Sequence, residues 1–144
     1  MPSATFTHVA VAARPIDAVW DRLQDAETWA SIGPIEEVWD AVHAGDDLDS
    51  FRWRTTVGPA GYQGSMTVVE SERPHRMRLS LDAGEVSGEL VAELEPATAG
   101  STTVRITLVV VSRGMLSTMF FPAISQAVGN GLPDQVEAFA ASIC

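Results

Sequence analysis

Apolar and polar residues change their spacing twice along this chain. Residues Thr5–Ala12 alternate with a period of two, which is typical of a strand. The apolar residues that follow recur at helical spacing, and they are Ile16, Val19, Trp20 and Leu23. Pro15 suits the first position of that helix, and Asp25 suits the cap of a second short helix that ends near Trp29. The start of the chain therefore predicts one strand and two short helices.

Six further segments have the composition of strands and are separated by turns rich in glycine and proline. They are Glu36–Ala44, Ser50–Val57, Tyr62–Glu70, Arg76–Asp82, Glu85–Glu95 and Thr102–Val111. Their apolar residues alternate with charged ones, so the predicted sheet is antiparallel, with one buried face and one wet face. If Ala83-Gly84 forms a two-residue hairpin, Arg78 lies opposite Glu89. We interpret this charged face as a solvated surface and not as a basic binding site.

The last part of the chain, Met115–Ile143, returns to helical spacing. The apolar phase continues through Gly129–Pro133, so we predict one long helix that bends at Pro122 and near Pro133. At ~1.5 Å per residue this helix is roughly 40 Å long and has to pack against a broad surface. We predict an α+β fold: a curved seven-stranded antiparallel sheet wraps around the long C-terminal helix, and residues 1–144 form a single domain.

Composition excludes several classes of function. The 144 residues include 19 acidic and 9 basic side chains, and every basic residue is arginine. A lysine-free chain with a net charge of −10 is a poor candidate for binding nucleic acid or anionic lipid. The sequence shows neither a signal region nor a membrane-spanning run, and the single cysteine, Cys144, suggests no disulfide framework. We therefore expect a cytoplasmic protein without stable membrane insertion.

Residues that could carry chemistry are few. Without lysine there is no Schiff base, and a lone terminal cysteine is unsuited to thiol catalysis. His8, His43 and His75 are not spaced like metal ligands. No glycine-rich turn joins a strand to a helix in the way that binds nucleotide phosphates. We predict no catalytic residue, no metal site and no cofactor, and we expect any activity to be independent of divalent metals.

Three segments follow a recognisable order. The first, VAARPIDAVWDRLQDAETWASIGP, contains Val19-Trp20, Asp25, Trp29 and Gly33-Pro34. The second, VVESERPHRMRLSL, is a strand–proline–arginine–strand hairpin, and the third, TTVRITLVVVSRG, precedes the long apolar helix. Together they resemble the START-related helix-grip superfamily, also called SRPBCC or polyketide cyclase/dehydrase-like, especially its branch associated with carbon monoxide dehydrogenase. The resemblance covers essentially the whole chain and implies the helix-grip fold.

In the resembling superfamily, the sheet and the long helix enclose a cavity for hydrophobic ligands such as lipids, sterols or polyketides. The resemblance implies that inward-facing apolar residues form the wall of such a cavity. The candidates are Trp29 and Ile32 near the short helices, Trp53, Thr55, Met66, Met77, Leu79, Leu81 and Leu90 in the sheet, and Met119, Phe120 and Ile124 in the long helix. Methionine suits this wall because its flexible side chain adapts to varied apolar shapes. Ordinary core packing is the alternative for each residue.

Three polar residues are candidates for orienting a ligand. Strand alternation places Asp40 on the same face as Val38 and Val42, so it is the candidate for an inward carboxylate. A bulge in this strand would turn Trp39 inward instead. Tyr62 lies beside a glycine turn, and we include Asp40 and Tyr62 among the ligand-binding candidates. The alternatives are an exposed edge-strand carboxylate for Asp40 and, for His8, a hydrogen-bonded histidine in the core or at its rim.

Three hypotheses of function follow. The preferred one is a binding or carrier protein for a hydrophobic small molecule, held between the sheet and the C-terminal helix. The second is a polyketide cyclase- or aromatase-like enzyme that uses Asp40, Tyr62 or His8, so catalysis is left open while binding is favoured. The third is an accessory or assembly protein that acts through its surface, and a homodimer is also left open. An inward carboxylate close to Tyr62 would favour the enzyme, whereas a cavity filled by side chains would favour the surface role.

Overall fold

The computed structural model describes residues 3–30, 36–45, 47–57, 60–84, 86–112 and 132–141. In chain order its elements are β1 (Ser3–Ala12), α1 (Ile16–Leu23), α2 (Ala26–Ala30), β2 (Glu37–Ala44), β3 (Asp47–Val57), β4 (Ala60–Glu72), β5 (Arg76–Asp82), β6 (Val86–Thr98), β7 (Ser101–Ser112) and α3 (132–141). The predicted helix Met115–Ile143 is thus observed over residues 132–141. The rest of that prediction, including the bend at Pro122, lies outside the described residues.

The seven strands form one sheet in the order β1-β7-β6-β5-β4-β3-β2. Every neighbouring pair is antiparallel, because short hairpins reverse the chain between consecutive strands from β2 to β7. The first strand then pairs with the last, with Ser3 opposite Val111 and Ala12 opposite Thr102. The predicted seven-stranded antiparallel sheet with a C-terminal helix is confirmed, and its two edges are β1 and β2.

Several strands are longer than predicted because the hairpins that join them are shorter. β2 and β3 meet at the pair Ala44 and Asp47, and Gly45 in their turn has a φ of 68°. β3 and β4 meet at Val57 and Ala60, so two residues separate these strands instead of the predicted four. Glycine adopts a positive φ without the steric penalty that a side chain brings, which permits so short a reversal at Gly45.

The hairpin between β5 and β6 corrects one predicted pairing. Its turn has Gly84 at a φ of 76°, and the amide of Ala83 closes the turn by donating to a β6 carbonyl at 2.8 Å. The turn is centred one residue later than predicted, because glycine occupies the position with positive φ, and Ser80 therefore lies opposite Glu89. The predicted opposition of Arg78 and Glu89 is wrong. Arg78 Nη1 nevertheless reaches Glu89 Oε1 diagonally, at 3.3 Å.

Charged side chains cover the outer face across β4, β5 and β6. Arg76 Nε lies 2.9 Å from Glu70 Oε1, and Arg78 Nη2 lies 3.7 Å from the other oxygen of the same carboxylate. Arg76 also reaches Glu93 on β6 at 4.0 Å. An exposed pair of this kind contributes only ~0.5 kcal/mol. Their arrangement matters more, because carboxylates on β4 and β6 lie on either side of the arginines of β5.

The inner face of the sheet and the three helices form the core. Its largest fully buried side chains are Trp20, Trp29, Phe51, Phe139, Leu23, Met66, Met77, Leu79, Leu90, Leu94 and Ile106. α1 packs on β6 and β7, whereas α2 packs on β2 and β3. α3 contributes Leu132, Val136 and Phe139 to the same core. Glu137 of α3 lies 2.9 Å from His8 of β1, so the C-terminal helix is tied to one edge of the sheet.

Gln24, directly after α1, links the short helices to the β2–β3 hairpin. Its buried side chain accepts a hydrogen bond from the amide of Leu48 at 2.9 Å and donates to Met77 Sδ at 3.6 Å. Its backbone carbonyl lies 2.9 Å from His43 Nε2. One residue thus fixes the end of α1 against three strands, β2, β3 and β5.

Two glycines lie where neighbouring strands approach too closely for a side chain. A Cβ on Gly64 of β4 would collide with the carbonyl oxygen of Asp82, and a Cβ on Gly88 of β6 would collide with that of Val109. Both contacts are with backbone atoms, which cannot move aside as a flexible side chain can. These positions therefore require glycine for the close approach of the strands.

We expect Gly64→Ala to lower the free energy of unfolding by about 3 kcal/mol, because the new methyl group forces β4 away from β5. Gly61→Ala in the same strand is the matched control, since a Cβ there meets nothing within 4 Å. The control should leave the free energy of unfolding unchanged or raise it by about 0.5 kcal/mol. Urea denaturation of both variants measures the difference, and equal effects would contradict the close approach at Gly64.

We expect Gln24→Met to lower the free energy of unfolding by about 1–3 kcal/mol, because the buried amide of Leu48 loses its acceptor. Gln63→Met makes the same chemical change at an exposed position of β4 and should stay within about 0.5 kcal/mol of the parent protein. Thermal and urea unfolding measure both variants. A Gln24 variant as stable as the Gln63 variant would show that this hydrogen bond does not hold the hairpin.

Candidate functional site

Seven of the predicted cavity residues lie together on the inner face of the sheet. They are buried, they belong to β3, β4, β5 and β6, and we call them the inner wall: Trp53, Thr55, Met66, Met77, Leu79, Leu81 and Leu90. Strand pairing places Met66 opposite Leu81 and Leu79 opposite Leu90. Side chains opposite one another on one face are neighbours, with Cβ atoms ~5 Å apart. The inner wall is therefore a continuous apolar surface.

Trp29 reaches the core from α2. Its side chain is fully buried, and its Nε1 donates a hydrogen bond to the carbonyl of Leu23 at 3.0 Å. The predicted helix start is also present, because Asp25 Oδ1 accepts a hydrogen bond from the amide of Glu27 at 3.0 Å. The end of α1 and the cap of α2 thus fix the Trp29 ring at the corner where α2 meets β2 and β3.

Asp40, the candidate for an inward carboxylate, is exposed, which agrees with the alternative of an exposed edge-strand carboxylate. Its φ of 52° lies in the left-handed region, and the β2–β3 register is irregular between Trp39 and Val42. This irregularity breaks the alternation on which the prediction depended, so the inward orientation is wrong. Trp39 does not replace it, because Trp39 pairs with the exposed Arg52, whose guanidinium lies 5.9 Å from the indole centroid.

The remaining candidates are described in part or not at all. Tyr62 pairs with Thr55 in the β3–β4 ladder, which gives its backbone the same register parity as the inner wall. The side chain of Tyr62 lies outside the described part of the structure. So do four further candidates: Ile32, Met119, Phe120 and Ile124.

His8 lies at the rim of the inner face. It pairs with Ile106 of β7, its side chain is 28% exposed, and its Nε2 lies 2.9 Å from Glu137 Oε1. The sequence did not identify Glu137, because the two residues are far apart along the chain and meet only when α3 packs against β1. The pair joins the C-terminal helix to β1 at this rim.

Trp53 carries a polar group that sequence reasoning did not single out. Its side chain is 4% exposed, and its Nε1 has no hydrogen-bond partner among the described residues. Trp53 pairs with Val38 on one side and with Gly64 on the other, so neither neighbour offers a side-chain acceptor. A cross-strand pair of tryptophan and glycine would have indicated that the indole lacks a side-chain acceptor on that strand. This pair becomes visible only when the β3–β4 register is known. Trp20 on α1 is a second buried indole whose Nε1 lacks a partner within the described ranges.

Among the described residues, no ionisable side chain is buried at the inner wall. Within the described ranges, every buried polar side chain is uncharged: Gln24, Thr28, Thr55, Ser87, Thr102 and Ser112. The pKa of Arg73 is raised, chiefly by its hydrogen bond to Asp21 at 2.8 Å, but Arg73 is an exposed residue in the turn between β4 and β5. No cluster of three or more histidine, cysteine or acidic residues suited to a metal ion occurs in the described part.

A shallow groove of about 230 Å³ lies on β5, β6 and β7. It is lined by Ser80, Leu81, Ser87, Gly88, Glu89, Val109 and Val111. Sites for small organic ligands usually measure ~300–1,000 Å³ and are mostly apolar. This groove is smaller and more polar, so the inner wall is the better candidate for a ligand-binding surface.

Two comparisons with known proteins concern the sequence. A family model described as polyketide cyclase / dehydrase and lipid transport matches residues 3–141. No curated protein matches the chain.

Among the described residues, no helix is long and apolar enough to cross a membrane.

Solved structures resemble the whole chain. A START superfamily protein from Mycobacterium smegmatis superposes with a TM-score of 0.63 at 13% identity, covering 92% of this chain and 98% of the other. A conserved protein from Geobacillus kaustophilus has a TM-score of 0.66 at 14% identity, with 96% of each chain covered. Zhui aromatase/cyclase from Streptomyces sp. R1128 has a TM-score of 0.59 at 19% identity, covering 96% of this chain and 84% of the other. At such low identities the likeness shows the fold alone, and the predicted helix-grip fold is confirmed.

Proposed function

The chain belongs to the polyketide cyclase/dehydrase and lipid transport family, and on that premise we propose that it binds a hydrophobic small molecule. The ligand is a lipid, a sterol or a polyketide-like compound, held between the inner wall and the C-terminal helix. Family membership confirms the resemblance noted in the sequence and supports a hydrophobic ligand as a class. The choice of binding over catalysis depends on the residues of this chain.

One observation carries the proposal: the inner wall joins four strands into one buried apolar surface. Met66 and Met77 on this wall are adaptable side chains that fit varied apolar shapes. Gly64 and Gly88 interrupt the side chains of β4 and β6, and neither can be replaced by a larger residue. At both glycines, backbone of the neighbouring strand fills the space that a side chain would take, so the strands beneath the wall stay closely paired. A continuous surface of large apolar side chains is typical of the lining of a small-molecule site.

The charge distribution favours binding over a cyclase-like reaction. Acid–base catalysis needs an ionisable group within hydrogen-bond reach of the substrate. Asp40 is exposed, His8 is engaged with Glu137 at the rim, and no described ionisable side chain is buried behind the inner wall. The described part of the site can therefore hold and shape an apolar molecule, but it provides no group to move a proton.

We expect Nile red, a neutral dye whose fluorescence reports an apolar environment, to bind the folded protein at one saturable site. A sterol or a fatty acid methyl ester should displace it. Leu81→Phe should weaken dye binding about tenfold or more, because the larger ring occupies space next to Gly88 on the inner face. Ser80→Phe is the matched control, since it adds the same ring to the same strand on the exposed face. Fluorescence titration measures all three proteins.

Circular dichroism of both variants establishes that each is folded before its titration is compared. Equal weakening by the two substitutions would place the dye on the surface and contradict the proposed site. Failure of Nile red to saturate with the unmodified protein would contradict ligand binding itself and favour a role that depends on the outer surface.

A further inference from the structure

From the position of Trp53 we infer that the ligand carries one uncharged hydrogen-bond acceptor, a carbonyl, ester or hydroxyl oxygen, that accepts from Trp53 Nε1. This inference rests on the proposed function, because it names the chemical class of the molecule bound at the inner wall. Trp53 is 4% exposed, and its N–H has no partner among the described residues. A buried donor without an acceptor destabilises a protein, and an acceptor that arrives with a ligand removes that penalty.

The surroundings of Trp53 make the ligand the natural source of this acceptor. Val38 and Gly64 are its cross-strand neighbours on β2 and β4, and neither side chain can accept a hydrogen bond. At Gly64 the carbonyl of Asp82 lies where a Cβ would be, so no residue with a side-chain acceptor can take this place beside the indole. By contrast, the fold itself satisfies Trp29, whose N–H donates to the carbonyl of Leu23 at 3.0 Å.

The acceptor is inferred to be uncharged because a buried carboxylate would need a counter-charge. Among the described residues no arginine is buried, and the inner wall carries no ionisable side chain. Moving an isolated anion into such surroundings is strongly unfavourable, whereas a ketone or ester oxygen needs only the single donor that Trp53 provides. Neutral ligands such as esters, ketones and sterols should therefore bind better than the corresponding free acids.

Two probes of the same shape test the donor directly. 2-Acetylnaphthalene carries a carbonyl oxygen where 2-isopropenylnaphthalene carries a methylene group, so the pair differs in the acceptor alone. We expect the unmodified protein to bind the ketone about tenfold more tightly than the alkene, as measured by titration calorimetry. In the protein labelled with nitrogen-15, the Trp53 indole proton should move downfield with the ketone and not with the alkene. The Trp29 indole proton, already hydrogen-bonded, should not respond to this difference.

Trp53→Phe removes the donor and should lose the preference for the ketone, because the ketone oxygen then leaves water without gaining a partner. Trp20→Phe is the matched control, because it removes the other buried unpartnered indole of the described residues from α1, which packs on β6 and β7. This control should retain the preference for the ketone. If Trp53→Phe does not fold, the indole resonance of Trp53 in the unmodified protein, assigned through its backbone, decides the question alone.

The possible outcomes separate the two proposals. Saturable binding of both probes with equal affinity and no shift of the Trp53 proton would overturn the inferred donor while leaving hydrophobic ligand binding intact. A preference for the ketone that persists in Trp53→Phe would overturn it as well, because another group would then be the donor. Absence of saturable binding for either probe would overturn the proposed function together with this inference. A free acid that binds more tightly than its methyl ester would overturn the uncharged class.

Discussion

One face of the seven-stranded sheet has to be removed from water, and the rest of the structure depends on how this is done. Strand parity commits Met77, Leu79 and Leu81 to the buried face and Arg76 and Arg78 to the wet one. A slip of one residue in any strand would exchange these faces. Two-residue turns and the ion pairs of the outer face oppose such a slip, while the helices supply the apolar cover.

The alternation of residues predicts the strands and their faces well, because a half-buried strand has the same period whatever its neighbours are. Pairing is harder to predict, because one glycine decides which residues form a turn. Gly84 adopts the positive φ in the turn between β5 and β6, and the cross-strand partner of Glu89 is therefore Ser80 and not the predicted Arg78. Parity also fails where a strand is irregular, and Asp40 is exposed for that reason. Local pattern therefore determines each strand but not its partner.

The same distinction explains how much of the candidate site the sequence could reveal. Residues of the inner wall follow from parity within single strands. The unpaired state of the Trp53 indole among the described residues cannot be inferred from parity. It depends on Val38 and Gly64, which become neighbours of Trp53 only through the register of two hairpins. Likewise, the contact of His8 with Glu137 joins the first strand to the last helix. Hydrogen-bond satisfaction is a property of the assembled sheet, and no local pattern encodes it.

Several buried polar groups of this core are paired, whereas the indoles of Trp20 and Trp53 have no partner among the described residues. Gln24 finds a backbone amide, Trp29 a carbonyl at the end of α1, and Thr102 the carbonyl of Arg14 at 2.8 Å. A donor left unpaired costs ~1–3 kcal/mol of stability, and phenylalanine at position 53 would avoid that cost. The cost is explained if the acceptor arrives with the ligand, because the stability lost in the free protein then returns as affinity. A wall without any polar group would bind every apolar molecule of suitable shape, whereas one donor beside Gly64 distinguishes among them by a single oxygen.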